Sequence, residues 1–344
     1  MKTYRLALIG FGNVGQGLAQ ILRDHGQELG QRYSVMFQIV AVCDFLQGSL
    51  YDPAGLDPAD LLNAVAKDGH LRNAAAPQIG WDALETITRS NADIVVEMSY
   101  TDLQTGEPAV SHVRAALEAG KHVATTNKGP VALQYPALAA LAQQHNVKIE
   151  AEGTVMSGTP AIHLGREQLA GAGITRIQGI LNGTTNYILT QMESGADYET
   201  ALADAQAQGY AEADPTGDVE GIDAAGKVVI LANLLLGESL SMADVARTGI
   251  TGITPEDIEH ARAAGERWKL IGMVDKADGQ CLATVQPVRL PLSHPLASVS
   301  GATNAITYST DLLGDVTLIG PGAGRIETGY ALISDLLAIH RGQK

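Results

Sequence analysis

The sequence predicts an α/β protein in which a Rossmann-type, doubly wound parallel sheet is joined to a second α+β domain for catalysis and dimerisation. Strand-like apolar runs alternate with helical patterns up to residue 150, which is typical of a parallel sheet covered by helices. After about residue 153 the pattern changes to glycine- and threonine-rich turns, helices and shorter β runs. The 344 residues also exceed what one ordinary hydrophobic core accommodates, so we expect two domains.

The first domain is predicted from the spacing of its apolar residues. Strands are expected at residues 6–9, 39–42, 94–97, 122–124 and 147–150, and helices beginning near residues 13, 57, 81, 107 and 131. Residues 44–55 are rich in turn formers and are predicted to form a surface loop. Helical spacing over residues 323–340 predicts a last helix that packs back on this domain.

The second domain is predicted from a β run over residues 174–181, three helical segments ending at Leu236, and shorter β runs between residues 281 and 319. We therefore predict a dinucleotide-binding domain of residues 1–152 plus about 321–344. The substrate, catalytic and dimerisation domain is predicted to span residues 153–320.

Composition and charge exclude several classes of protein. A net charge of -15 argues against nucleic-acid binding, which needs clustered Lys and Arg. There is neither an apolar run long enough to span a bilayer nor a signal peptide, so we expect a soluble cytoplasmic protein without a membrane partner. Cys43 and Cys281 match no metal or redox spacing. A small-molecule substrate is therefore expected.

A glycine-rich turn follows the first predicted strand. Gly10 permits a tight turn, Gly12 lets the backbone approach a pyrophosphate, and Gly15 allows close packing of the following helix. The N-terminus of that helix offers backbone N–H groups and a positive dipole end to phosphates. The alternative is a glycine turn without a ligand. The predicted cofactor contacts are Gly10, Phe11, Gly12, Asn13, Val14 and Gly15.

Asp44 ends the next predicted strand and can accept hydrogen bonds from the adenosine ribose. A carboxylate there repels a 2′-phosphate, and neither Arg nor Lys lies between Asp44 and Asp60, so NAD is favoured over NADP. The alternative is a solvated carboxylate at a strand end. Ser99, shortly after another predicted strand, is included among the cofactor contacts.

Lys128 directly follows a predicted strand. Ligands of open α/β sheets bind beyond the carboxyl ends of the strands, which places Lys128 where nicotinamide and substrate meet. A surface lysine before a helix starting near residue 131 is the alternative.

An acidic stretch over residues 209–223 precedes Lys227. Asp218 is a predicted N-cap for a helix that continues to Leu236, and on that helix Asp223 and Lys227 are i, i+4 neighbours. A solvated ion pair is the alternative. The helix is otherwise nearly all apolar, so it is predicted to be buried, and a buried lysine beside carboxylates is a candidate acid/base group.

Two further turns are candidate binding segments. Residues 181–187 are dense in hydroxyls and amides, so Thr184 either binds a carboxylate or caps a helix. Residues 152–160 combine the Glu152 carboxylate with a glycine-containing loop that exposes carbonyl oxygens. Hard cations prefer such oxygens, although tight loops also show them without a ligand.

Together these segments resemble the homoserine dehydrogenase family. The resemblance covers nearly the whole chain and rests on residues 10–15, 126–130, 152–155, 182–189, 209–215 and 320–324. It implies interconversion of homoserine and aspartate 4-semialdehyde. By resemblance, Lys227 donates the proton while Asp223 and Glu212 hold the substrate. The resemblance also implies that Lys128 lies beside the nicotinamide as a second catalytic lysine that assists proton transfer. The predicted substrate-binding residues are Glu212, Asp218, Asp223 and Thr184.

The resemblance also implies a monovalent cation, such as Na⁺, on Glu152 and the carbonyls of Val155, Ser157 and Thr159. It further implies that Gly324 closes over the cofactor, and that a homodimer forms on the β runs between residues 281 and 319. Because the sequence ends at Lys344, we expect a form without a regulatory extension. Residues 155–159 are less glycine-rich than the family pattern, and the insertion at residues 44–80 has no assigned role.

Two other functions remain open from the sequence. An aldehyde-oxidising semialdehyde dehydrogenase needs a thiolate nucleophile, and neither cysteine is well placed. A non-catalytic dinucleotide sensor needs only the glycine turn, and the joint presence of Lys128, Asp223 and Lys227 argues against it.

Overall fold

The computed structural model describes residues 1–277 and 279–342 of the chain. These residues form two compact units. Unit 1 contains Met1–Gly158 and the described residues from Gly324 onward, and unit 2 contains the described residues of Thr159–Ala323. The predicted division into separate domains stays a prediction.

A mixed sheet forms the centre of unit 1. Its described strands are β1 (Lys2–Ile9), β2 (Val35–Asp44), β3 (Gly48–Tyr51), β4 (Gln78–Ile79), β5 (Ile94–Glu97), β6 (His122–Thr125) and β7 (Ile149–Glu150). Their order is β4-β3-β2-β1-β5-β6-β7; β3 and β4 are antiparallel additions to an otherwise parallel sheet. Because β1 lies between β2 and β5, the winding reverses at β1, which is where such sheets bind ligands.

Strand β1 is buried on both faces. Leu6 and Leu8 point into a core shared with α1 (Asn13–Tyr33) and α12 (Arg325–Arg341). Ala7 and Ile9 point into a second core. The helices of that second core are α3 (Ala83–Arg89), α4 (Ala109–Glu118) and α5 (Lys128–Gln144). A strand covered on both faces needs apolar residues at consecutive positions, which explains the run that predicted it.

The contact of α1 with α12 depends on glycines. A Cβ added at Gly17 would lie 2.0 Å from the Arg325 carbonyl oxygen, and one at Gly329 would lie 2.7 Å from the Gly17 carbonyl carbon. Larger side chains would therefore push the two helices apart.

The prediction of a surface loop over residues 44–55 is wrong, because this segment contains strand β3. Gly48 has a φ of 101°, which permits a tight turn, and β3 returns antiparallel to β2 with Cys43 opposite Ser49. The inserted segment also supplies β4 and helix α2 (Pro58–Asp68), which is capped by the Asp57 side chain. The insertion thus extends one edge of the sheet.

Unit 2 is built on a second sheet with the order β13-β12-β8-β10-β11-β9. Its described strands are β8 (Ile174–Ile180), β9 (Val245–Arg247), β10 (Glu266–Ala277), β11 (Gln280–Pro291), β12 (Thr303–Thr310) and β13 (Gly314–Pro321). Neighbouring strands are antiparallel except β11 and β9. Strand β10 was not predicted, because charged residues such as Glu266 and Lys269 interrupt its apolar pattern.

The helices of unit 2 are α6 (Ala161–His163), α7 (Gly183–Glu193), α8 (Tyr198–Ala207), α9 (Thr216–Val219), α10 (Ile222–Leu235) and α11 (Pro255–Ala263). Helix α10 is buried along most of its length and packs on β10 and β11. Among the described residues, no helix has the length and apolar character needed to cross a membrane.

Two predicted helix starts are wrong. Helix α5 begins at Lys128 rather than near residue 131, because Asn127 caps it by accepting a hydrogen bond from the Gly129 N–H. Asp218 does not cap α10 but lies inside α9, because Gly221 with a φ of 74° separates α9 from α10.

Candidate active site

The glycine turn of unit 1 has the shape that the sequence predicts. Gly10 has a φ of 98°, and a Cβ there would lie 2.5 Å from the Met98 carbonyl oxygen. A Cβ at Gly15 would lie 2.7 Å from the Gly10 carbonyl oxygen. Gly12 is the N-cap of α1, and among the described residues this helix end has no side-chain cap. The first N–H groups of α1 are therefore available to an anion.

Phe11 fixes the turn from inside. Its ring is buried, and its backbone carbonyl accepts hydrogen bonds from Gln16 Nε2 at 3.0 Å and Gln47 Nε2 at 2.8 Å. Asn13 is exposed at the first position of α1, and Val14 packs against the core.

Asp44 is more constrained than the sequence indicates. Its Oδ2 accepts from the Phe11 N–H at 2.7 Å, and its Oδ1 accepts from the N–H groups of Leu46 and Gln47, each at 2.9 Å. The carboxylate thus links the glycine turn to the β2–β3 turn. Arg72, which sequence reasoning missed because it is distant in the chain, donates from Nη2 to the Leu46 carbonyl oxygen at 3.1 Å.

Ser99 and Lys128 follow the carboxyl ends of β5 and β6, which are neighbours in the sheet. Asn127 connects them, because its Nδ2 donates to the Ser99 carbonyl oxygen at 3.0 Å and its Oδ1 caps the helix that Lys128 begins. Beneath them the fully buried Glu97 accepts a hydrogen bond from the Ser99 hydroxyl and lies 3.3 Å from His112 Nδ1. Sequence reasoning assigned no role to Glu97 or Asn127, because His112 is 15 residues from Glu97 and Ser99 is 28 residues from Asn127.

In unit 2 the carboxylates of Asp218 and Asp223 contact the side chains of Asn182 and Lys227, and these four residues are called the carboxylate cluster below. Lys227 on α10 donates from Nζ to the Leu181 carbonyl oxygen at 2.6 Å and to Asp223 Oδ2 at 2.8 Å, and its side chain is only 9% exposed. The solvated-pair alternative is therefore wrong for Lys227. Burial raises the pKa of Asp218, which the Asn182 hydrogen bond partly offsets.

Thr184 does not cap α7, because Asn182 does so by accepting from the Thr185 N–H at 2.9 Å. Instead, Thr184 Oγ1 donates to the Tyr210 carbonyl oxygen at 2.6 Å. That contact fixes the start of the segment that carries Glu212. Glu212 itself is exposed. The structure therefore brings Asp218, Asp223 and Lys227 together, whereas Glu212 lies on the surface.

The predicted cation loop begins at the fully buried Glu152 in unit 1. Ser157 adopts a left-handed φ of 54°, and its hydroxyl lies 2.7 Å from the Thr328 hydroxyl. In unit 2, Thr159 donates from Oγ1 to the Pro321 carbonyl oxygen at 2.9 Å. Gly324 precedes α12 and has a φ of 142°, a conformation that favours glycine.

Two family models match the chain. The model described as "Homoserine dehydrogenase, NAD binding domain" matches residues 10–152, and the one described as "Homoserine dehydrogenase" matches residues 160–337.

Individual relatives show the same similarity over almost the full length. An "NAD(+)-dependent homoserine dehydrogenase" of Pseudomonas canavaninivorans is 49% identical and covers 99% of this chain and 97% of its own. A crystal structure of a putative homoserine dehydrogenase from Archaeoglobus fulgidus superimposes with a TM-score of 0.88 at 38% identity, covering 98% of this chain and 99% of that one. A hyperthermophilic archaeal homoserine dehydrogenase mutant in complex with NADPH gives a TM-score of 0.86 at 31% identity, covering 99% and 98% of the two chains.

Proposed function

The chain belongs to the homoserine dehydrogenase family, and from this premise we propose how its residues carry out the reaction. It is an NAD(P)-dependent oxidoreductase that interconverts L-homoserine and L-aspartate 4-semialdehyde. Oxidation of homoserine removes a hydride from the carbon that bears the hydroxyl and a proton from that hydroxyl. A nicotinamide bound to unit 1 would accept the hydride, and a residue of the protein is needed to accept the proton.

Lys227 is the proposed proton acceptor, and its position carries the proposal. Its Nζ hydrogen bonds to the Leu181 carbonyl and to Asp223 fix the direction of the amine. An ammonium has three hydrogens, so one is left for the substrate oxygen when the reaction runs toward homoserine. The same positive charge stabilises the alkoxide that forms during hydride transfer.

The carboxylates Asp218 and Asp223 are the proposed partners of the substrate ammonium, because charge-assisted hydrogen bonds of this kind are short and strong. Glu212 and Thr184 are assigned to the same substrate. The Thr184 hydrogen bond to Tyr210 supports this assignment, since it ties the segment that carries Glu212 to the start of α7.

The glycine turn of unit 1, including Phe11, Asn13 and Val14, is the proposed pyrophosphate site. The uncapped start of α1 supports this assignment. We assign Asp44 to the adenosine ribose and NAD as the preferred cofactor, because a carboxylate at this position repels a 2′-phosphate. Ser99, Lys128 and Gly324 complete the proposed cofactor contacts, with Lys128 beside the nicotinamide.

The loop after β7 is the proposed cation site. Its donors are the Glu152 carboxylate and the carbonyl oxygens of Val155, Ser157 and Thr159, all hard oxygen ligands of the kind that alkali cations take. The complete burial of Glu152 supports the fit, since its carboxylate oxygens face the protein interior together with the carbonyl oxygens of the same loop.

A homodimer built on the sheet of unit 2 is the proposed assembly. Leu312, Leu313 and Ile319 in or beside β13 are each more than half exposed, and this apolar surface supports the assignment. Light scattering coupled to size-exclusion chromatography measures the mass in solution. Charged substitutions at Leu312 and Leu313 should yield a monomer.

A thiol-dependent aldehyde oxidation has no support in either cysteine. Burial raises the pKa of the Cys43 thiol, which also donates to the Trp81 carbonyl oxygen at 3.6 Å, and burial likewise raises the pKa of Cys281. Both thiols are thereby kept protonated, whereas a nucleophilic cysteine must be a thiolate.

Steady-state kinetics with L-homoserine test the proposal. The protein should reduce NAD⁺ in a homoserine-dependent manner, with a higher kcat/KM for NAD⁺ than for NADP⁺. Binding of NADH without any homoserine-dependent turnover would instead support a dinucleotide sensor. Repeating the assay with Na⁺ exchanged for a bulky organic cation tests the cation site, because an unchanged rate would remove it.

A further inference from the structure

Asn182 occupies the connection between β8 and α7 and is almost completely buried. The two ends of its amide have different partners. Its Oδ1 accepts hydrogen bonds from the backbone N–H of Thr185 at 2.9 Å and from the Thr185 hydroxyl at 3.1 Å. Its Nδ2 donates to Asp218 Oδ1 at 2.7 Å and to Asp223 Oδ2 at 3.0 Å. One end thus caps a helix while the other joins two carboxylates.

These contacts belong to a closed ring of hydrogen bonds that includes Lys227. Asp223 Oδ2 accepts hydrogen bonds from both Asn182 Nδ2 and Lys227 Nζ. Lys227 Nζ also donates to the carbonyl oxygen of Leu181, the residue directly before Asn182. The Asn182 amide therefore contacts one of the two acceptors that orient the lysine, and the other belongs to the residue directly before it.

The hydrogen bond from the amide also favours the charged form of Asp218. Burial raises the pKa of Asp218, and the neighbouring Asp223 raises it further, whereas the hydrogen bond from Asn182 lowers it. A neutral donor shared by two carboxylates offsets their mutual repulsion without adding a charge of its own. A cap requires only the acceptor end of this side chain, so capping does not account for the contacts of Nδ2.

We propose that Asn182 is a positioning residue for the proton transfer, in which its Nδ2 holds Asp218 and Asp223 in place as carboxylates and thereby fixes Lys227. This assignment rests on the function proposed above. It makes Asn182 act through Lys227 and the two carboxylates, without contact with the substrate.

The Asn182→Asp exchange separates the two ends of the side chain. Aspartate caps a helix as well as asparagine does, so the contact with the Thr185 N–H is retained. The donor is replaced by an acceptor that faces Asp218 and Asp223. We expect kcat for homoserine oxidation to fall by about 10²-fold, the loss expected from a displacement of about 1 Å at a reacting group.

The pH dependence distinguishes positioning from a structural role. At low pH a proton shared among the three carboxyl groups restores one of the lost hydrogen bonds. The ratio of variant kcat to unmodified kcat should therefore fall as the pH rises. A ratio that does not change with pH, or an unchanged kcat, would overturn the assignment.

Two further variants complete the test. Asp197→Asn makes the reverse exchange at a matched exposed N-cap of unit 2, where Asp197 Oδ1 accepts from the Thr200 N–H at 2.8 Å, and it should leave kcat unchanged. In an Asp218→Asn background the Asn182→Asp exchange should lower kcat by a several-fold smaller factor, because the number of carboxylates is restored. Equal losses of kcat in both backgrounds would contradict the coupling. If Asn182→Asp alone does not fold, the double variant is compared with Asp218→Asn, and a loss of kcat by the full factor of about 10² would contradict the coupling. An unmodified protein that does not turn over homoserine would refute the proposed function instead.

Discussion

The glycine turn of unit 1 is built from backbone groups, whereas the carboxylate cluster of unit 2 is built from side chains. In the turn, backbone atoms pack so closely around Gly10 and Gly15 that neither position has space for a side chain. The cluster consists of side chains, where Asn182, Asp218 and Lys227 come from three elements. Backbone shape suits a phosphate, whose charge is constant at neutral pH. Proton transfer needs groups whose charge changes during the reaction, and only side chains provide them.

The largest expected effect is the loss of the cluster's base. Lys227→Met should lower kcat by about 10²-fold or more, because general acid–base catalysis contributes at least that much. NADH affinity should be unchanged, as measured by the quenching of protein fluorescence.

Lys276→Met is the matched control for that change. Lys276 also donates to a carbonyl, that of Leu236 at 3.0 Å, and pairs with a carboxylate, Glu238, at 2.7 Å. It lies outside the cluster, so kcat should be retained. Wild-type turnover by Lys227→Met would remove Lys227 from the mechanism.

The next effect concerns the turn. Gly10→Ala places a Cβ 2.5 Å from the Met98 carbonyl oxygen at a left-handed φ, and strain of this kind costs about 1–3 kcal/mol. The Kd for NADH should rise by about tenfold or more. Gly26→Ala within α1, where an added Cβ has nothing within 4 Å, should bind NADH normally. Equal affinity in both variants would mean that the turn does not hold the cofactor.

A smaller effect is expected at Asp44. Asp44→Ser removes a negative charge while Arg72 remains at the Leu46 carbonyl, so the ratio of kcat/KM for NAD⁺ to that for NADP⁺ should fall by about fivefold or more. Adding Arg72→Ala to this variant should reverse part of the shift. An unchanged ratio in Asp44→Ser would show that Asp44 does not read the ribose.

The smallest effect is on stability. Because burial raises the pKa of Asp218, the folded state binds the proton more tightly than the unfolded state. The contribution of Asp218 to stability therefore falls as the pH rises above 3.8, its ordinary pKa, and stays unfavourable at neutral pH. Asp218→Asn should melt at a higher temperature than the unmodified protein at neutral pH, with the difference vanishing in acid.

Asp214→Asn should show the opposite sign at neutral pH. The Thr216 hydroxyl lowers the pKa of Asp214, so that carboxylate stabilises the folded state above its ordinary pKa and loses this contribution as the pH falls. Calorimetry at several pH values measures the melting temperatures of both variants. Identical shifts would contradict the assigned causes.

The two regions also differ in how well the sequence predicts them. The positions of Gly10 and Gly15 follow from local spacing, because a turn and the helix after it involve neighbouring residues. The candidate residues Asp218, Asp223 and Lys227 were recognisable as residue types. Their connection through Asn182 was not, because its carboxylate partners are 36 and 41 residues further along the chain. The buried Glu97 was missed for the same reason, since its partner His112 is 15 residues further along the chain.

One measurement tests the contrast between the two sites most directly, namely NADH affinity and homoserine turnover on the same preparations of Gly10→Ala and Lys227→Met. We expect a crossed result. Gly10→Ala should lose affinity while keeping most of its kcat at saturating NAD⁺, and Lys227→Met should keep affinity while losing kcat. If both variants lost both properties in parallel, the separation into a backbone-built cofactor site and a side-chain-built proton-transfer site would be contradicted.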